Sequence, residues 1–336
     1  MLTVIDPDGA EHALDHRDLL VPSEALAAAT GWELKPEGLC RGETCVPLFG
    51  RKVATADPAW IDLEAWAEAL GLLVVHDSAA GAVALVRTAA THAAAQDGRA
   101  PSLTLADVDG NPVSFEDFSG HKRVLVTWAS WCGCRHELAG WERLQQELAA
   151  DGLRIFSVAL DADPEDSRPW IEAGAPSYPV AVDPAHITAE RYGITNVPSV
   201  VWVDEQDRVV KPPTIAPGDD QFAEFTLIDS ARHHDALRAW VRDGALPESA
   251  GVPAEQRTDD GQRALARRRL AAYAVRSGRP DLAREHLARA QELAPWDWTV
   301  RRGGIAMTGG DPFLGEEFVA FWEKWDEAGR PGYTPT

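Results

Sequence analysis

Short strands and short helices alternate through the first ninety-five residues, and the pattern repeats. Residues 21–32 recur at 61–72, forty positions on. Each copy reads as a helix closed by glycine, Gly31 or Gly71, and then a strand, at 32–34 and 72–76. Ser23 and Asp62 are the predicted N-caps. A further strand follows in each copy, at 45–49 and 82–86, which makes 1–95 a small α+β repeat module. Residues 88–99, rich in Ala, His and Gly, read as a linker.

From 99 to 247 strands and helices alternate as in an α/β domain. Strands are predicted at 123–128, 154–159, 180–182, 199–204 and 208–211, and helices at 137–150, 164–173, 187–192 and 231–242. The polar run 247–262 reads as a second linker. Residues 261–336 are helical in period, with helices at 265–277, 280–294 and 318–328 and a turn at Gly278-Arg279-Pro280.

Composition changes this picture little. The chain has 336 residues, 45% of them hydrophobic and 25% charged, which suits two or three globular domains. A net charge of −21 argues against nucleic acid and anionic lipid as partners. The first residues carry neither a basic segment nor an apolar one, and no stretch of about 18 apolar residues occurs. The expectation is a cytoplasmic protein without a membrane span. No cofactor is implied.

Chemistry concentrates in the four cysteines, which fall as Cys40/Cys45 and Cys132/Cys134. The second pair lies in Val124-Leu125-Val126-Thr127-Trp128-Ala129-Ser130-Trp131-Cys132-Gly133-Cys134-Arg135-His136-Glu137. An apolar strand ends in Trp-Cys and a helix follows at once, so Cys132 sits at a helix N-terminus, where the dipole and free N–H groups favour a thiolate. A thiol close behind it can resolve a mixed disulfide.

This stretch resembles the TlpA/ResA-like branch of the thioredoxin superfamily, whose pattern is close to W-A-S-W-C-x-x-C-R-x-E. The resemblance covers residues 100–240 and includes Pro101-Ser102-Leu103, Asp109-Gly110, Ser157-Val158-Ala159-Leu160-Asp161, Tyr178-Pro179-Val180 and Tyr192-Gly193-Ile194-Thr195-Asn196-Val197-Pro198-Ser199. It implies a thioredoxin-like α/β domain and a thiol–disulfide oxidoreductase. Cys132 would be the nucleophile and Cys134 the resolving thiol, with a cis Pro198 facing them. Glu137 would be either a proton acceptor or a carboxylate that stabilises its helix. Trp131, Gly133 and Val197 would contact substrate, with Trp131 partly exposed. Substrates would be protein or small-molecule disulfides and thiols. The N-terminal repeat resembles the module at the start of copper amine oxidases, and 261–336 resembles a tetratricopeptide segment. The first implies a binding or spacer module rather than a catalyst, and either segment could hold a protein partner.

Two departures matter. One residue, Gly133, separates the cysteines where the family has two, so a bond between them closes a smaller ring, is strained and easier to reduce. Free thiols are therefore expected over a bond. Val126 stands where the family often has a buried Asn or Asp. Other readings of the same residues remain: a non-enzymatic scaffold, a thiol peroxidase, or a metal site built from Cys132, Cys134 and His136. Cys40 and Cys45 read as a hairpin disulfide, two free thiols or a second exchanging dithiol. His233-His234-Asp235 is expected to cap a surface helix.

Overall fold

A computed structural model describes residues 1–95, 98–251 and 256–332. Parts of both expected linkers, 96–97 and 252–255, and the last four residues of the expected helical tail lie outside the described residues. The chain forms two compact units, residues 1–95 with 257–294 and residues 96–256 with 295–336.

The first unit opens with β1 (Leu2–Ile5) and β2 (Glu11–Leu14), and the two stretches expected to repeat follow. The first comprises β3 (Leu20–Pro22), α1 (Ser23–Thr30), β4 (Glu33–Lys35), β5 (Gly38–Arg41) and β6 (Thr44–Val46). The second comprises β7 (Trp60–Asp62), α2 (Leu63–Ala69), β8 (Leu72–Asp77) and β9 (Ala82–Arg87). The equivalent strands β3 and β7 pair with each other, Val21 opposite Ile61. Asp62 caps α2 by accepting from the N–H groups of Glu64 and Ala65. Ser23 does not cap α1. It is the first helical residue, and Pro22 holds the cap position with no side-chain bond. The first expected linker is helical as well, since α3 (Ala89–Ala95) forms from its alanines, the residue with the highest helix propensity.

The second unit begins with β10 (Thr104–Asp107), β11 (Pro112–Ser114) and β12 (Lys122–Trp128). After β12 come α4 (Leu138–Leu148), β13 (Leu153–Ala159), α5 (Pro164–Gly174), β14 (Val180–Val182), α6 (Ile187–Tyr192), β15 (Ser199–Val203) and β16 (Val209–Ile215). Two helices close this stretch, α7 (Ala223–Thr226) and α8 (Ser230–Asp243). Its strands form one seven-stranded sheet, ordered β11-β10-β14-β13-β12-β15-β16. β12 is an interior strand, parallel to β13 and antiparallel to β15. β16 runs four residues past its expected end, through Pro212 and Pro213. Prolines are tolerated there because β16 is an edge strand.

The helical stretch expected as one tail is divided. α9 (Asp259–Arg276) and α10 (Pro280–Leu293) belong to the first unit. Ala266 and Leu270 of α9 pack on the sheet β2-β1-β9-β8 through Ile5, Val75, Ala82, Ala84 and Val86. A lone helix pair cannot bury its own apolar face, and this sheet supplies the missing surface. α11 (Trp298–Met307) and α12 (Glu316–Glu327) belong to the second unit. They share a core of Trp298, Ile305, Phe318, Phe321 and Trp325. No helix among the described residues is long and apolar enough to cross a membrane.

Candidate active site

The apolar strand β12 delivers the chain to the site. Val124 to Trp128 are buried, and the turn that follows is held by the buried carboxylate of Asp161. The Ser130 N–H donates to both oxygens of Asp161 at 3.1 and 3.0 Å, Ser130 Oγ donates at 2.7 Å, and Ser167 Oγ donates at 2.6 Å. Burial raises the Asp161 pKa, with Asp166 adding like charge, and the donations from Ser130 and Ser167 offset only part of that rise.

Cys132 caps a 3₁₀ segment, Gly133–Glu137, that leads into α4. Its backbone is extended, and its Sγ accepts the Cys134 N–H at 3.3 Å. A helix-terminal N–H directed at sulfur favours the thiolate. Cys132 and Cys134 are joined as a disulfide, with Cα atoms 5.2 Å apart, and the expectation of free thiols is corrected. The reason lies in the backbone. Two residues apart on an α-helix point to different sides, but Cys132 is outside the helix and Gly133 starts a tighter turn.

Pro198 follows a cis bond from Val197. The Val197 carbonyl oxygen lies 3.6 Å from Cys132 Sγ. The Asn196 side chain accepts the Val197 N–H at 2.8 Å, and Ser199 Oγ donates to the Asn196 carbonyl at 2.7 Å. Glu137 is 3% exposed, and its Oε2 accepts the Gly218 N–H at 2.9 Å. Burial raises its pKa to about 8, with Asp219 and Asp220 adding like charge and the Gly218 bond opposing. Near neutral pH this carboxyl is poised to take or give a proton.

Cys132, Gly133, Cys134, Glu137, Val197 and Pro198 all border one cavity of about 430 Å³. Its far wall comes from the C-terminal helices and the loop between them, including Trp298, Arg302, Phe313, Phe318 and Trp322. The two cysteines are only 6% and 3% exposed. Phe222 covers Gly133 so closely that an added Cβ would lie 3.0 Å from its ring. The C-terminal segment also docks by its backbone, since the Trp298 N–H donates to the Thr195 carbonyl at 2.8 Å.

Two expectations are corrected here, those for Trp131 and His233. Trp131 is buried rather than partly exposed. Its Nε1 donates to the Leu160 carbonyl at 3.2 Å, and its ring packs on Gly303 of α11, so the added helix takes the surface reserved for substrate. His233 does not cap a surface helix. It is buried between the rings of Trp141 and Trp202, while Asp229 caps α8. His136 is exposed and meets the Trp170 ring edge-on at 4.9 Å, and among the described residues no three His, Cys, Asp or Glu are grouped to hold a metal ion.

Cys40 and Cys45 stand opposite each other on β5 and β6, joined by a disulfide with Cα atoms 4.1 Å apart. Sequence reasoning gave no role to Asp161, Phe222 or Arg302. A carboxylate at the end of an apolar strand was a signal for Asp161. For the other two none existed.

Residues 94–219 match the redoxin family. The thioredoxin-like protein YneN of Bacillus subtilis is 33% identical over 117 residues, which is 33% of this chain and 67% of that protein. The thiol-disulfide oxidoreductase ResA of Bacillus thuringiensis subsp. konkukian is 27% identical over 115 residues, 33% of this chain and 65% of that protein. The chain thus spans about two thirds of the length of these relatives. Among solved structures, the thioredoxin domain of a thiol-disulfide oxidoreductase from Bacteroides vulgatus is 26% identical, covering 34% of this chain and 84% of that one at a TM-score of 0.32.

Proposed function

The chain belongs to the thioredoxin-like family, and from that premise we propose that it is a thiol–disulfide oxidoreductase acting through Cys132 and Cys134. One observation carries this reading: Cys132 Sγ sits at the start of a helical segment with the Cys134 N–H directed at it, beside the Val197–Pro198 loop. In the reducing direction the Cys132 thiolate attacks a substrate disulfide and releases one thiol. Cys134 then attacks Cys132, gives up its proton and releases the second thiol, leaving the Cys132–Cys134 bond. Glu137 is the nearby group whose pKa suits that proton.

The first unit is a spacer or partner-binding module of the repeat type, and the helix pair α9–α10 is its tetratricopeptide-like element. The pairing of β3 with β7 supports the repeat. Small residues at the α9–α10 contact, such as Ala271, Ala283 and Ala290, which are buried, support the helix pair.

The test is a trap. Cys134→Ser protein, reduced and mixed with a disulfide substrate, should accumulate a mixed disulfide visible by intact-mass measurement, and Cys132→Ser should turn nothing over. Full activity in the Cys132→Ser protein would remove Cys132 from the role of nucleophile.

A further inference from the structure

We infer that the covered cavity selects small organic disulfides that carry an anionic group on an apolar or aromatic body, in preference to disulfides of folded proteins. The inference rests on the redox role of Cys132 and Cys134 and names their substrate class.

Size and access come first. The dithiol is almost wholly covered, and the space left over it is about 430 Å³, within the range of small-molecule sites. Peptide backbone would have to approach beside the Val197–Pro198 loop. There the Thr195 carbonyl is already taken by the N–H groups of Trp298 at 2.8 Å and Thr299 at 3.3 Å. The chain's own C-terminal segment thus stands where an extended protein substrate would run.

Charge comes second. The walls are largely apolar and carry several aromatic rings, yet two guanidinium groups enter them. Arg302 lies over Phe313 at 4.9 Å and Phe318 at 4.4 Å, with its Nε donating to the Pro312 carbonyl at 2.7 Å. Arg135 also lies over Phe313, at 4.3 Å, and over Trp170, at 4.1 Å, and donates to the Ser130 carbonyl at 2.6 Å. Neither makes an ion pair within 4.0 Å among the described residues. Burial works against both cations, and Arg135 adds like charge against Arg302, with Asp311 opposing at Arg302 and Asp161 at Arg135. Two arginines held by aromatic faces and carbonyls, without a carboxylate of their own, suit an incoming carboxylate or sulfonate. The protein as a whole carries −21, so this cationic lining is a local exception that an anion would have to reach.

The exchange balances within the proposed class. The reduced dithiol passes two electrons to R–S–S–R, and its two protons end on the leaving sulfurs as thiols or, where these leave as thiolates, in solvent, the Cys134 proton passing through Glu137.

The test uses the full chain, reduced with a phosphine, desalted and mixed by stopped flow with one of two aromatic disulfides. The probes are dianionic 5,5′-dithiobis(2-nitrobenzoate) and neutral 4,4′-dithiodipyridine. Rates are divided by those of dithiothreitol to remove intrinsic reactivity, and the Cys132→Ser rate is subtracted to remove Cys40 and Cys45. The anionic probe should be favoured, and Arg302→Gln should lower the anionic-to-neutral rate ratio by about tenfold or more. Arg302→Lys should keep part of it, and circular dichroism verifies that each variant folds. An unchanged ratio in folded Arg302→Gln overturns the inference, as does faster reduction of insulin disulfides than of either probe. A wild-type rate no greater than that of Cys132→Ser with both probes and insulin would instead overturn the redox reading itself.

Discussion

The carboxylate of Glu137 accepts the backbone N–H of Gly218 at 2.9 Å across the second unit, between residues eighty-one positions apart. That bond fastens the start of α4 to the segment leading into α7, and it holds a buried acid beside the dithiol.

A pH dependence follows. Glu137 has its pKa raised from 4.5 to about 8 in the folded protein, so the unfolded chain ionises first. Between those values the folded state binds more protons than the unfolded state, and stability falls as pH rises. The contribution is intact below about pH 4.5 and lost through pH 8. Urea denaturation of wild type and Glu137→Gln at pH 5 and pH 9 should show the variant gaining on wild type by a few kcal/mol, on the order of the shift itself. Equal gaps at both pH values would mean that Glu137 is not buried as an acid.

The C-terminal cap governs access to the cysteines. Trp298 is buried and meets Phe321 at 4.7 Å and Trp325 at 4.8 Å between ring centroids. Trp298→Ala should cost about 3–5 kcal/mol at that cluster. In reduced protein it should also speed alkylation of Cys132 by iodoacetamide. Alkylation at the wild-type rate, with the stability loss present, would separate the cap from the site.

Gly133 is small because of Phe222, not because of its backbone. A Cβ there would lie 3.0 Å from the ring, so Gly133→Ala should destabilise by about 1–2 kcal/mol as an overpacked contact. Phe222→Ala made in the same chain should recover most of that difference. A denaturation double-mutant cycle with no coupling would show that the ring does not rest on Gly133.

Ring size sets a further expectation. One residue between the cysteines closes a smaller ring than two, and the reduction potential should lie above the roughly −270 mV of thioredoxin, nearer −180 mV. Equilibration with glutathione buffers measures it, and insertion of one residue after Gly133 should lower it. A potential at or below that of thioredoxin would refute the ring argument.

What the sequence revealed of the site was its local half. Cys132, Cys134 and Glu137 lie within one short motif, and Pro198 within another, so neighbouring residues carried the signal. Arg302 and Trp298 reach the cavity from more than 150 positions beyond the cysteines and 100 or more beyond Pro198, through packing that no local pattern encodes. The helix that carries them, α11, was itself hidden. Its Gly303-Gly304 pair reads as a break, because glycine opposes helix formation in isolation. Gly303 is there because Trp131 packs against it. The same long-range contact explains the misreading of Trp131, since a residue beside an active cysteine reads as exposed until the helix that buries it is known. The repeat 21–32 and 61–72 was legible as a pair of helices followed by strands, but not the use of α9 to cover their sheet.

The division of the chain also sets a timetable. The sheet β2-β1-β9-β8 is complete once Arg87 has been made, yet the helix that covers Ala82, Ala84 and Val86 begins at Asp259. At translation speeds of about 5–20 residues per second, that gap keeps an apolar sheet face waiting for roughly ten to thirty-five seconds while the entire strand set of the redox unit is synthesised. A nascent chain in that interval presents a ready surface for self-association, and ribosome-bound chaperones that hold exposed apolar segments have a defined window in which to act on it. The same interleaving means that no single cut of the gene releases the redox unit whole, because its cap is encoded after the last helix of its neighbour.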